Sequence, residues 1–169
     1  MNYIPLSQRK GTPSMGMSSG FGGSDPVLDA MENIKRVESS GNYQARGPKV
    51  ESGMYAGEQA LGAYQVMPGN LPSWSKEALG REVSEQEFLE NPEVQDSIAR
   101  YKMQQSYDKY GNAEDVASVW FTGRPRSEAG GSVADVTGTT NDEYISRFSM
   151  GSSSGGGMKY TPLSKRKML

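Results

Sequence analysis

Glu38 is the residue in this sequence best placed for acid chemistry. It follows a run in which Leu28, Met31, Ile34 and Val37 recur at three-residue spacing, and it precedes Ser39, Ser40 and Gly41. The run predicts a helix with one apolar face, and Ser24-Asp25-Pro26 reads as its start because proline is tolerated in a first helical turn. Glu38 then falls at the C-terminal end, where the helix dipole opposes a carboxylate anion. Apolar neighbours add a desolvation cost of the same sign. A carboxyl kept protonated near neutral pH is suited to protonating a leaving oxygen. The same spacing also suits a solvated glutamate near a helix end.

A second group runs Gly62-Ala63-Tyr64-Gln65-Val66-Met67-Pro68. Gly62 and Ala63 permit close backbone approach. Gln65 carries both a donor and an acceptor for an amide or hydroxyl, and Pro68 and Gly69 end the segment. A short helix with a polar face fits these residues equally. A third group, Ala117-Ser118-Val119-Trp120-Phe121-Thr122-Gly123, brings two aromatic side chains together. Such side chains line sugar clefts, although on a helix they more often belong to a core. Glu58, in Gly57-Glu58-Gln59-Ala60, is a further carboxylate close to the second group, and an exposed loop position suits it too.

The composition narrows the chemistry. The 169 residues contain neither cysteine nor histidine. That removes disulfides, thiolate nucleophiles, the Ser-His-Asp triad and every metal site built on Cys or His. Asp, Glu, Lys and Tyr are the remaining acid–base groups. No metal or organic cofactor is implied, and there is no glycine-rich phosphate loop. Eighteen basic and twenty acidic residues give a net charge of −2, a balance that calls for no nucleic-acid or membrane partner. No apolar run approaches the roughly 20 residues that span a bilayer, and no hydrophobic segment follows Arg9 and Lys10 as a secretory signal requires.

The elements that must position these residues lie in the middle of the chain. Residues 24–150 read as one folded, mainly helical domain. Ser84 and Glu87 form a capping-box pattern before Phe88 and Leu89. Asn91-Pro92 caps a longer helix carrying Val94, Ile98 and Tyr101, which stops near Gly111. Asn112 caps a helix with Val116, Val119 and Trp120 on its inner side. Thr140 or Asn141 opens a last helix bearing Tyr144, Ile145 and Phe148. Strand-like alternation is weak, and the Gly-rich stretch from Gly41 to Glu58 suits a loop or a small hairpin.

Residues 1–23 and 151–169 read as flexible Gly/Ser-rich tails. Each contains one copy of a short segment. The first, Tyr-Ile-Pro-Leu-Ser-Gln-Arg-Lys, begins at Tyr3 and ends at Lys10. The second, Tyr-Thr-Pro-Leu-Ser-Lys-Arg-Lys, begins at Tyr160 and ends at Lys167. Six of the eight positions are identical. Two tethered copies of a docking peptide would grip a symmetric partner through effective concentration; two disordered basic ends are the other reading.

Taken together, the three groups resemble the SLT-type lytic transglycosylases of the lysozyme-like superfamily. Glu38-Ser39-Ser40 is similar to the family's Glu-Ser-Gly/Ser motif at a helix end. Gly62 through Pro68 is similar to its Gly-x-x-Gln-hydrophobic-Met-Pro motif. Ala117 through Gly123 stands for its Ala-x-Tyr-Asn-x-Gly motif, and Tyr144 for its late helical tyrosine. The resemblance covers about residues 27–148. It departs in the third motif, where Trp120 replaces the usual Tyr and Phe121 the usual Asn, which removes a polar contact.

The resemblance implies a lysozyme-like, mainly α (α+β) catalytic domain acting on peptidoglycan glycan strands. Glu38 would be the general acid, and then the base, in forming a 1,6-anhydromuramic end. Ser39 would support the site by hydrogen bonding. Tyr64, Gln65 and Met67 would line the cleft against the acetamido group. Trp120 and Tyr144 would pack on sugar rings or orient Glu38. Were Glu58 to face Glu38 across the cleft and activate a water, the protein would be an inverting muramidase, which needs two carboxylates. Goose-type lysozymes of the same superfamily place an acidic residue in a similar region. An inactive scaffold that assembles through its tails is the reading from another class. The paired tails and the missing export signal lead to an expected place in a bacteriophage virion, held by virion or tail proteins and acting in the host cell wall. Export from a bacterium by a non-standard route is the alternative.

Overall fold

A computed structural model describes residues 25–150, except Ser52, Met54, Val136 and Thr137. The two repeated terminal segments lie outside the described residues. The described part is mostly helical with one two-stranded sheet. Helix α1 spans Pro26–Ser39, and Asp25 caps it by accepting the N–H groups of Val27 and Leu28. Next come strands β1 (Arg46–Lys49) and β2 (Gln59–Leu61), a 3-10 turn at Pro68–Asn70, and helices α2 (Leu71–Leu79) and α3 (Glu85–Glu90). The long α4 (Pro92–Tyr110), α5 (Ala113–Thr122), the short α6 (Arg126–Ala129) and α7 (Asn141–Met150) complete the order.

The helix starts and stops follow the capping residues. Ser84 Oγ accepts the Glu87 N–H at the start of α3, and Asn112 Oδ1 accepts the Asp115 N–H at the start of α5. Gly111 and Gly123 end α4 and α5 in the left-handed conformation. Asn91 precedes α4 without a capping bond from its side chain, which instead donates to the Glu87 carbonyl. Thr140 and Glu143 cap each other reciprocally before α7: Thr140 Oγ1 accepts the Glu143 N–H, and Glu143 Oε2 accepts the Thr140 N–H.

Helix α1 packs on α4, α5 and α7, and α4 packs on α2, α3 and α5. The core between them holds Val27, Ile34, Val37, Leu61, Phe88, Ile98, Met103, Val116, Tyr64 and Tyr144, among others. Each large side chain buried there contributes about 1.5–3 kcal/mol of transfer free energy. The α1 face differs from the sequence expectation in one respect. Leu28 is exposed, while Val27, Ala30, Met31, Ile34 and Val37 are buried. At 3.6 residues per turn, positions 28 and 37 lie about 180° apart around the helix, so strict three-residue spacing cannot hold both on one face. On α4, Ile98 is buried and Tyr101 is exposed.

The Gly-rich stretch forms the small sheet. β1 and β2 run antiparallel with Arg46 opposite Leu61 and Lys49 opposite Gln59. The register slips between those pairs, around Pro48, which has no N–H to give to the ladder. Leu61 and Val66 then exchange both backbone hydrogen bonds at 2.9 Å and close a tight turn over Gly62, Ala63, Tyr64 and Gln65. This segment is therefore a turn and not a short helix. Gly62 (φ 71°) and Gln65 (φ 52°) supply the left-handed backbone it needs. Among the described residues, no helix is long and apolar enough to cross a membrane.

Candidate active site

Glu38 occupies the apolar stripe of α1. Val27, Met31, Ile34 and Glu38 are spaced by four, three and four residues, the spacing of a single buried helix face. Its side chain consequently points into the protein and is 7% exposed. Tyr144 donates a hydrogen bond from its hydroxyl to Glu38 Oε1 at 2.6 Å. Burial raises the carboxyl from its ordinary 4.5 to about 8; the negative charge of Asp135 acts in the same direction, and the Tyr144 hydrogen bond opposes both. Glu38 is thus held largely protonated at neutral pH, in the last turn of α1, with a buried hydrogen-bond partner.

Tyr144 is fully buried. Its ring lies flat against Phe121 of α5, with centroids 4.5 Å apart and an interplanar angle of 12°. Several polar contacts fix α7 relative to α1 and α5. Arg36 Nη2 donates to the carbonyls of Arg147 and Phe148. Asn141 Nδ2 donates to Ser118 Oγ and to the Gly130 carbonyl. These bonds hold the helix bearing the tyrosine against the helix bearing the acid.

Ser39 joins the acid to the Leu61–Val66 turn. Its Oγ donates to the Ala63 carbonyl at 2.8 Å and accepts the Asn42 N–H at 3.0 Å. Gln65 is half-buried; its Nε2 donates to the Gly62 carbonyl at 2.9 Å, bracing its own left-handed conformation. Its Oε1 lies over Gly47, where a Cβ would meet it at 2.7 Å. Trp120 is half-buried and donates from Nε1 to the Tyr64 carbonyl at 3.2 Å. Its ring meets Tyr64 edge-on and Trp74 at a tilt.

Both tyrosines named as candidate sugar contacts are buried. Tyr64 is fully buried and does not line a cleft; its hydroxyl donates to the partly exposed Asp96 at 2.7 Å. Tyr144, equally buried, offers no ring face to solvent, and of the two roles expected of it the hydrogen bond to Glu38 is the one its position suits. Met67 is half-buried and immediately precedes the Pro68–Asn70 turn. Glu58, also half-buried, accepts the Gly69 N–H on Oε2 at 3.2 Å, so it stabilises the same turn. Glu38, Ser39, Tyr64, Gln65, Trp120 and Tyr144 are thus linked by direct contacts or through the Leu61–Val66 turn.

The sequence reading missed three residues. Gln95 is fully buried in α4: its Oε1 accepts the Ala63 N–H, and its Nε2 donates to the carbonyls of Tyr43 and Phe88. It fills the space a side chain at Gly62 would need. Asp96, its neighbour, accepts from both Tyr43 and Tyr64. Asp135 carries the charge that acts on Glu38. Helix α4 is polar along most of its length, so no local pattern singles out Gln95 or Asp96, and nothing local marks Asp135. Among the described residues, no group of three or more Asp or Glu side chains is placed to hold a metal ion. No protein-family model, curated protein or solved structure matches the chain.

Proposed function

We propose that this protein is a lysozyme-like lytic transglycosylase that cleaves the β-1,4 bond between N-acetylmuramic acid and N-acetylglucosamine in peptidoglycan. The observation that carries the reading is the buried Glu38 carboxyl, protonated at neutral pH and held by Tyr144 at the end of α1. Glu38 donates its proton to the glycosidic oxygen as the bond to the muramic C1 breaks. The resulting carboxylate then removes the proton of the muramic 6-hydroxyl, whose oxygen attacks C1. The products are a new hydroxyl on the leaving sugar and a 1,6-anhydro end, and Glu38 regains its proton. One carboxyl group suffices, which suits a chain without histidine or cysteine. Ser39 and the Leu61–Val66 turn keep the helix end and the Gln65 side chain in a fixed relation.

The repeated segments at both ends of the chain support a place in a larger particle with repeated sites, and hence local wall opening by a bacteriophage virion. The test of the chemistry is mass spectrometry of fragments released from purified peptidoglycan by the wild-type protein and by Glu38→Gln. Anhydromuramic ends from the wild type alone are the expected result. Reducing muramic ends identify hydrolysis and make Glu58 the next residue to change. No release by the wild type, beside a working control enzyme, favours the inactive scaffold.

A further inference from the structure

Phe121 stands where the family that the sequence resembles carries a polar residue, and the structure gives its ring a specific contact. It stacks on Tyr144 at 4.5 Å, and the hydroxyl of Tyr144 is bonded to Glu38. Tyr144 is completely buried while Phe121 is half-buried, so the phenylalanine ring covers one face of the tyrosine and itself reaches solvent. We infer that Phe121 is a positioning residue for the acid: its ring fixes the plane of Tyr144, aims the phenol at Glu38 and keeps water from the pair. The inference rests on the general-acid reading of Glu38.

The groups that act on Glu38 are few. Tyr144 reaches it from α7, and Asp135 from the segment before α7. Helix α5 has no charged residue after Asp115, so Phe121 acts through packing and exclusion of water alone. An asparagine or leucine at this position would leave one face of Tyr144 uncovered. Water reaching the pair would solvate the carboxylate and ease its ionisation. A loosened Tyr144 hydrogen bond would act in the opposite direction, but burial is the largest influence on Glu38, so the net shift is downward.

The experiment compares wild type with Phe121→Leu, Phe121→Met and Phe121→Tyr. Two quantities are read: the titration of the Glu38 carboxyl by carbon-13 NMR on the free protein, and kcat and KM on peptidoglycan fragments across pH. For Phe121→Leu, Glu38 is expected to titrate about one pH unit lower, with the alkaline limb of activity moving down equally. A fall in kcat of about tenfold and a KM within about twofold should accompany it. Phe121→Tyr, which keeps the stack, should behave as wild type. Phe121→Met retains volume without a ring and takes the place of the leucine variant should that one not fold. A Glu38 titration unchanged in the ring-free variants overturns the inference. Its outcome is separate from that of the proposed function, because the titration needs no substrate and no turnover.

Discussion

The Tyr144 hydroxyl and Glu38 Oε1 meet at 2.6 Å although the residues are 106 positions apart in the chain. Both side chains are buried, so neither partner exchanges easily for water. Tyr144→Phe removes the hydroxyl and leaves the ring and its stack on Phe121 in place. The hydrogen bond lowers the Glu38 pKa, so its loss should shift the alkaline limb of activity to higher pH, opposite in sign to Phe121→Leu. Loss of orientation should reduce kcat by roughly 10- to 100-fold with KM little changed. A pH–rate profile of the variant checks both.

Glu38 also links stability to pH. In the unfolded chain it titrates near 4.5 and in the folded protein near 8. Between those values the folded state holds the proton that the unfolded state releases, so stability falls as pH rises through that window and is level above it. Glu38→Gln cannot ionise and escapes the loss. Its stability advantage over wild type should be absent below pH 4, grow from about pH 5 to 8, and reach up to about 3 kcal/mol near neutrality. Urea denaturation of both proteins at a series of pH values measures it. An advantage that does not vary with pH would sink the assignment of a protonated Glu38.

Gly62→Ala should be among the most damaging single changes outside the acid itself. Gly62 has φ 71°, and an added Cβ would collide with the Gln95 side chain, which is fixed by three hydrogen bonds. Backbone strain and displacement of a buried amide together should cost about 2–4 kcal/mol. The midpoint of chemical denaturation reports the loss. Gln95→Ala in the same background should relieve the collision by opening the space, at the expense of its bonds to Ala63 N and to the carbonyls of Tyr43 and Phe88.

Glu58→Gln separates two chemistries at one position. In the structure Glu58 Oε2 accepts the Gly69 N–H, and a glutamine oxygen can accept it equally well. Under the transglycosylase mechanism the variant should retain activity within about threefold and yield the same anhydro ends. A loss of about 100-fold or more, with reducing ends from the wild type, would make Glu58 the base of a hydrolase.

Local chemistry in the sequence was enough to place most elements and to single out Glu38. Capping residues such as Asp25, Ser84, Asn112 and Thr140, and the stops at Gly111 and Gly123, act within one turn of their own position, so their effect is legible along the chain. The sequence reading ended the apolar face at Val37, and the structure instead sets Val27, Met31, Ile34 and Glu38 on one buried stripe. The spacing rule failed for Leu28, where 3.6 residues per turn carried a three-residue series off the face. What the tertiary structure alone decided are contacts between distant segments. Ser39 on Ala63, Gln95 under Gly62, Phe121 on Tyr144 and Tyr144 on Glu38 each join residues that no periodicity relates. Packing brings them together because α1, α4, α5 and α7 must bury their apolar faces against one another, and which polar groups then meet depends on the full three-dimensional arrangement. The burial of Tyr64 has the same origin: its partner Asp96 comes from α4, and only the assembled fold shows that the phenol has an acceptor there.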